Sequence, residues 1–423
     1  MSEGFSTAGS YLDRAYQEAS KCNRCGFCQT ACPVYQVTRK EGSTARGHSY
    51  QVRSLVEGRL PVSDSLRQTF EECLQCRACV DQCSPRVQTN EVVAEARRAL
   101  GAPGPRAKLL PAFLRKALLN PRRLGEYARL AATAHSLGIS RIAALGGPGL
   151  SRSHDLLPQL PGRSLYDRTR GRVLEPRSPK GRVAYFAGCG MNYLLPKAGE
   201  ATIDIILASG FSVAVTRNYC CGLLSQTLGD PDTALRLARG NLRLLNAQDV
   251  DAIVTDCASC SSFLKGYAGL LKDSAAFAES AGQFAAKVLD ITEFLARLDP
   301  APKPGGLAIK VTYHDPCHAS RYQGLKKEPR SALQSIPGLE LIEMEEADWC
   351  CGGAGSYSVT HPELSQRILD RKMENAARTG AEVLVTSCPA CMLQLSFGVR
   401  RHGLPMRVLH LSQVMRMAQP RGH

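Results

Sequence analysis

Two runs of cysteine carry the plainest chemistry in this chain. Cys22, Cys25, Cys28 and Cys32 are spaced C-x-x-C-x-x-C-x-x-x-C ahead of Pro33, and Cys73, Cys76, Cys79 and Cys83 repeat that spacing ahead of Ser84-Pro85. Ten further cysteines form two groups of five: Cys189, Cys220, Cys221, Cys257 and Cys260, then Cys317, Cys350, Cys351, Cys388 and Cys391, each reading C, then C-C-G, then C-x-x-C. These groups account for all 18 cysteines. Three thiols on successive turns of a short loop, with a fourth set apart, suit a [4Fe-4S] cube, whereas zinc ligands usually come as pairs closing one four-coordinate site. Where two such runs occur together, the cysteine before proline ligates the other cube. Cys22, Cys25, Cys28 and Cys83 are therefore expected around one cube, and Cys73, Cys76, Cys79 and Cys32 around the other. Such a pair passes single electrons.

The groups of five point to metal of a less familiar kind. Tetrahedral zinc takes four ligands, so a fifth soft thiolate favours an iron-sulfur assembly in which a sulfur bridges irons or can be displaced. Neighbouring side chains such as Cys220-Cys221 and Cys350-Cys351 point apart in extended chain, and both reach one site only if the backbone turns sharply. Gly222 and Gly352 stand where such a turn needs positive φ. A zinc site with a spare cysteine, or a degenerate structural copy, stays open as the alternative. His314 and His318 flank Cys317, and His410 stands where the first copy has Asp290; an imidazole there either tunes the metal or moves a proton, or simply satisfies nearby backbone. Trp349 reads as packing. Gly352-Gly353-Ala354-Gly355 lacks a full phosphate-binding pattern and reads as turn chemistry.

The elements that must hold these thiols follow from the surrounding pattern. With 423 residues, 44% of them hydrophobic, the chain has room for two to four packed domains. Residues 1–100 are expected to be a helical module carrying both four-cysteine runs, with Ser43 or Thr44 capping the helix ARGHSYQVRSLVEG and Asp64 or Ser65 capping DSLRQTFEECL. Residues 101–180, bounded by proline and glycine, read as a partly helical connector. Residues 181–300 and 301–423 are two copies of one unit, their first cysteines Cys189 and Cys317 lying 128 apart. Each copy reads β-α-β-α-β-α: RVAYFAGC and IKVTYHDPC as first strands, DTALRLARGNLRLLNA and ELSQRILDRKMENAAR as amphipathic helices, AIVTD and VLVTS as strands running into C-x-x-C. That alternation implies parallel sheets, with the cysteines at the C-terminal strand ends where open α/β sheets bind ligands. The whole is an α/β multidomain chain: a helical two-cluster module, then two repeated α/β domains.

Composition narrows the partners. Disulfides crowd small secreted domains, and no charged-then-apolar leader precedes Cys22, so free thiols in a reducing, cytoplasmic setting are expected. No run of 18 apolar residues suggests a membrane-spanning helix. Of the net charge of +15, the connector holds most, with 15 Lys and Arg against 4 Asp and Glu. It carries no zinc-finger, homeodomain or stacking signature, which argues against nucleic acid as partner. The stretch RAKLLPAFLRKALLN, interrupted by Pro111, suits peripheral contact with the inner face of the cell membrane, or an acidic groove on a partner.

Taken together, CGFCQTACPVY, ARGHSYQVRSLVEG, CLQCRACVDQC and CCGGAGSYSVTHPELSQRILDRKM resemble the iron-sulfur subunit of bacterial glycolate oxidase. The wider set includes the B and D subunits of heterodisulfide reductase and one subunit of anaerobic glycerol-3-phosphate dehydrogenase, and the likeness covers nearly the whole chain. It implies two cubane clusters and one or two further noncubane [4Fe-4S] clusters, held by the five-cysteine groups of the CCG domains. It also implies an FAD-containing dehydrogenase partner, since this chain shows no flavin or nicotinamide fingerprint. The function implied is an electron-transfer subunit of a glycolate- or lactate-type 2-hydroxyacid dehydrogenase complex, active only in that complex and delivering electrons to a quinone or similar acceptor. Five cysteines kept in both copies leave room for a heterodisulfide-reductase-like alternative, with a disulfide or quinone reduced at a noncubane cluster on the repeats.

Overall fold

The computed structural model describes residues 4–101, 115–139, 154–156, 160–299 and 304–419. The segment around Pro111 therefore lies mostly outside the described residues. In the N-terminal module, helices Gly4–Ala19, Ala45–Val56 and Thr89–Leu100 close around Ala15, Ala19, Val52, Phe70, Val92, Val93 and Ala96. The two cysteine runs lie on loops beside this core, and both loops turn by the same device. Arg24 and Gly26 have φ of 57° and 85°, and Gln75 and Arg77, at the matching places after Cys73, have 54° and 61°. Left-handed backbone costs a side chain roughly 1–2 kcal/mol, so both loops carry strain that glycine relieves only at Gly26. Thr44 caps Ala45–Val56, its Oγ1 accepting from the Gly47 N–H at 3.1 Å. The next helix, Asp64–Glu71, is capped by Ser63 and not by Asp64 or Ser65: Ser63 has the extended backbone a cap requires, and its Oγ accepts from Leu66 N–H at 3.2 Å.

The repeats are two mainly parallel sheets. Strands β1 (Val173–Leu174), β2 (Gly181–Tyr185), β3 (Phe211–Val215), β4 (Ala252–Thr255) and β5 (Val288–Asp290) are ordered β1-β3-β2-β4-β5. Strands β6 (Ile309–Tyr313), β7 (Leu339–Leu341), β8 (Val383–Thr386) and β9 (Arg407–His410) are ordered β7-β6-β8-β9. All pairs are parallel except β1 with β3, where residues just before the first repeat add an antiparallel edge. Each copy has one β/α unit more than its sequence pattern suggested, β5 or β9 followed by a short helix. Those strands span only a few residues, too few to display a period. The expected amphipathic helices are Pro231–Asn246 and Pro362–Arg378. In both copies the chain leaves the sheet after the first strand and returns on its two sides, so the cysteine loops meet at the point where strand order reverses.

The copies pack reciprocally. Helix Pro196–Ala208 lies on Leu411–Met417, and Lys327–Gln334 lies on Ile291–Ala296, so the helix after the first cysteine of each copy meets the last helix of the other. One apolar cluster spans both sheets, including Val183, Tyr185, Val254, Val311, Tyr313 and Val385. Polar groups inside it are paired: Thr202 Oγ1 donates to Asp256 at 2.6 Å and Tyr185 O–H donates to Asp256 at 2.8 Å within the first copy, and Thr202 Oγ1 stands 2.8 Å from Ser412 Oγ across the seam. His410 serves as backbone satisfaction. Its Nδ1 accepts from the Ser412 N–H at 3.1 Å, and its Nε2 donates to the Asp256 carbonyl at 2.8 Å.

Asp290 caps the helix at the matching place of the first copy and is fully buried. Burial raises its carboxyl from 3.8 to about 6. Because the folded value exceeds the unfolded one, stability from the neutral carboxyl is full below about pH 4 and is lost as pH rises through about 6, on the order of 3 kcal/mol. Asp290→Asn keeps the cap without the charge, so its advantage in urea unfolding should grow from about pH 4 to about pH 7; an advantage independent of pH would contradict this. Gly222 and Gly352 have φ of 102° and 81°, as the cysteine-pair turn demands. A Cβ on Gly352 would lie 2.6 Å from the Ser365 carbonyl oxygen, whereas on Gly222 the nearest atom is a Phe263 ring carbon at 3.1 Å. Gly352→Ala should therefore lower the melting temperature clearly more than Gly222→Ala, beyond the about 1–2 kcal/mol of backbone strain common to both; equal losses would refute the steric argument.

Candidate iron-sulfur sites

In the helical module, one small cavity is lined by Cys22, Cys25, Cys28 and Cys83 together with Gly26, Arg46 and Ser49. A second is lined by Cys32, Cys73, Cys76 and Cys79 together with Ser43, Ala45 and His48. The fold thus brings together the two exchanged sets that the spacing suggested, with Cys79 also bordering the first cavity. The cavities differ in depth. Cys25 is exposed and neighbours Phe27, 62% exposed, while Cys76 is buried. Burial pushes the Cys32 thiol up to about 12 and raises Cys28, Cys73, Cys76 and Cys79 as well.

The ten remaining thiols form one string. In the first repeat Cys189 touches Cys220, Cys220 touches Cys221, Cys221 touches Cys260, and Cys260 touches Cys257. Cys317, Cys350, Cys351, Cys391 and Cys388 repeat that order in the second. The strings join end to end where Cys257 meets Cys388, with Ser259 Oγ 3.4 Å from the Cys388 sulfur. Donation by neighbouring thiols holds three sulfurs well below the usual thiol range: Cys221 between Cys220 and Cys260, Cys350 between Cys317 and Cys351, and Cys388 between Cys257 and Cys391. At its other end the second-repeat string faces the helical module, with Cys76 and Cys350 in one apolar cluster with Leu74, Trp349, Tyr357 and Ile368. In space the order runs from the Cys25 cavity through the Cys76 cavity to the second repeat, and only then to the first.

Side chains with no local sequence signal hold this junction. Tyr322 O–H donates to the Gln75 carbonyl at 2.7 Å and Tyr357 O–H to the Glu72 carbonyl at 3.0 Å. Arg97 donates to the Phe70 and Cys73 carbonyls at 2.8 Å and reaches the Thr227 carbonyl of the first repeat at 3.0 Å. Arg321, 7% exposed along its side chain, lies 3.1 Å from Asp348 and 3.5 Å from Asp81. Burial alone would weaken its hold on the proton, but Cys76, Asp348, Cys317 and Cys350 around it outweigh that and raise it. His318 stacks on Tyr322 with ring centroids 4.4 Å apart, its Nδ1 3.5 Å from the Cys317 sulfur.

His48, within the ARGHSYQVRSLVEG stretch, lines the Cys76 cavity and stacks on Phe70 at 5.2 Å. Burial holds it down at about 3, hence neutral. Trp349 is packing, as its context suggested: Nε1 donates to the Ile368 carbonyl at 3.0 Å and Arg371 lies 4.3 Å over the ring. A roomier cavity of ≈ 610 Å³ lies apart from the thiols, lined by His135, His154, Arg400 and Arg401 among others. Among the described residues no helix is long and apolar enough to cross a membrane.

All 18 cysteines are free thiols, converging in fours and fives with Cys25 alone exposed, and soft sulfur in such sets fits iron-sulfur clusters. Comparison with known proteins agrees. The 4Fe-4S dicluster domain family matches residues 18–87, and the CCG cysteine-rich domain family matches residues 183–265 and again 311–396. A probable glycolate oxidase iron-sulfur subunit of Bacillus subtilis is 32% identical, over 94% of this chain and 93% of its own length. Lactate utilization protein A of an Exiguobacterium species is 27% identical over 55% of this chain and 96% of its own. One subunit of the CoM/CoB fumarate reductase of Methanothermobacter marburgensis is 35% identical over 57% of this chain, which spans only 47% of that relative. An iron-sulfur protein with a helical dicluster module and two CCG repeats, this chain belongs to the family of glycolate oxidase iron-sulfur subunits.

Proposed function

We propose that the chain is the electron-transfer subunit of a flavin-dependent 2-hydroxyacid dehydrogenase complex of glycolate or lactate type. Cys22, Cys25, Cys28 and Cys83 hold one cubane cluster, and Cys73, Cys76, Cys79 and Cys32 hold the other. Cys317, Cys350, Cys351, Cys388 and Cys391 hold a noncubane cluster, and Cys189, Cys220, Cys221, Cys257 and Cys260 a second. When bound, such clusters accept and release single electrons. The observation that carries the reading is the unbroken succession of thiols, with Cys76 beside Cys350 and Cys257 against Cys388. The names borne by the Bacillus and Exiguobacterium relatives supply the substrate class. An FAD-containing partner would take the electron pair from the hydroxyacid, and a quinone or similar acceptor would receive the electrons at the far end.

The chain's own residues do three things for this task. Buried thiols present sulfur ligands away from water. The αL turns bend each cysteine loop around the cavity its thiols line. Arg321 sets a positive charge between Cys76 and the Cys317–Cys350 pair, and Lys372 adds another behind the second repeat, its Nζ donating to the Ala347 carbonyl at 3.1 Å. Positive charge favours the cluster that has gained an electron.

A second reading has its own observation. Cys257 and Cys388 bring the two five-cysteine sites edge to edge, an arrangement that would let a disulfide or quinone take one electron from each side. Anaerobically purified chain separates the readings. The electron-transfer reading expects more than about eight irons per chain, the content of two cubes, and turnover only when a flavoprotein dehydrogenase is added; reduction of a disulfide or quinone by the chain alone with an artificial donor would shift the function to the repeats, and zinc in place of iron would sink both. Arg321→Gln should lower the potentials of the clusters on either side by on the order of 60 mV, a tenfold change for a one-electron couple. Redox titration followed by EPR reads this, and unchanged potentials would remove Arg321 from the electron path.

A further inference from the structure

His314 follows the first strand of the second repeat and is 1% exposed. Its backbone N–H donates to the Val385 carbonyl at 2.8 Å, which seats the ring inside, yet neither Nδ1 nor Nε2 has a hydrogen-bond partner. A neutral imidazole carries one N–H and one lone pair, and buried groups of that kind are nearly always satisfied. Sulfur gathers around this one, with the cations Lys372 and Arg321 also acting on it. A ring nitrogen of His314 and the sulfurs of Cys351 and Cys391 all lie within 4.8 Å of one another, and Cys350 and Cys388 are close enough to act on its charge. Three residues before its first cysteine, the first repeat has Phe186 at the matching place, likewise buried. Packing at this position is therefore met by an apolar ring, and the imidazole of the second copy is there for something else.

We infer that His314 is an iron ligand of the second repeat, binding through a ring nitrogen the iron that Cys351 and Cys391 approach. This rests on the reading of the second repeat as an iron-sulfur site. The two repeats then differ in kind: the second combines five thiolates with one imidazole, and the first has sulfur ligands alone. The other histidines near cysteine are placed differently. His318 is stacked on Tyr322 beside Cys317, at the edge of the group, and His48 borders the Cys76 cavity.

The test is pulsed EPR of the full chain, purified anaerobically with its histidines labelled with heavy nitrogen, with iron counted in every sample. Native protein and His318→Phe should show a bonded-nitrogen coupling that is lost completely in His314→Phe, a change to the residue the first repeat already tolerates. Should that variant also lose iron, His314→Cys, which restores a donor at the same place, should recover the iron without the nitrogen coupling. Iron at the second repeat with no bonded nitrogen in native protein, or a coupling that survives in His314→Phe, overturns the inference and leaves the iron-sulfur reading standing. An iron count that does not fall when Cys350 and Cys351 are both changed to Ser shows no iron at the second repeat, and overturns both.

Discussion

Burial of sulfur is the constraint on which this structure depends. Of 18 cysteines Cys25 alone is exposed, and in apolar surroundings a thiol keeps its proton because the thiolate loses its solvation. Burial holds Cys32 up at about 12 and raises its neighbours in the same cavity. A bound metal reverses that balance, since its charge draws the thiolate form and expels the proton. Folding and metal loading are therefore linked: the helical core and the two sheets hold crowded thiols and strained loops in an arrangement that sulfur ligation, and little else, would favour.

The repeats show how one fold serves two settings. Reciprocal packing of the first and last helices turns two copies into one body with a shared core, and the same packing brings Cys257 against Cys388. The copies then diverge around their metal sites. Counting from the first cysteine, Phe186, Gly190 and Tyr193 in the first copy stand where His314, His318 and Arg321 stand in the second. The second copy meets the helical module through Tyr322, Tyr357 and Arg321 and the first through Thr227, and it is at the second that the cationic and imidazole side chains gather. Asymmetry of charge within a symmetric frame sets the surroundings of the two five-cysteine groups apart.

Much of this was legible in the residues. The exchanged four-cysteine sets, the duplicated α/β unit, the glycine turns at Gly222 and Gly352 and the Thr44 cap all follow from local spacing, and local spacing is what a chain displays. The fourth strand of each copy was hidden because β5 and β9 are too short for a period. The order of the sites in space was hidden for a different reason. It rests on contacts such as Tyr357 with Glu72 and Tyr322 with Gln75, separated by 285 and 247 residues, and nothing near either partner announces the other. Left-handed backbone at Gln75 and Arg77 was equally silent, since neither residue type favours it.

The central claim is the spatial order of the sites, with the second repeat standing between the helical module and the first repeat. Dipolar coupling between cluster spins in the reduced chain, measured by pulsed EPR, reads that order directly. The order predicts strong coupling between the helical module and the repeats that disappears when Cys350 and Cys351 are replaced and survives when Cys220 and Cys221 are replaced. Coupling that survives loss of the second-repeat cysteines but disappears with those of the first would contradict it.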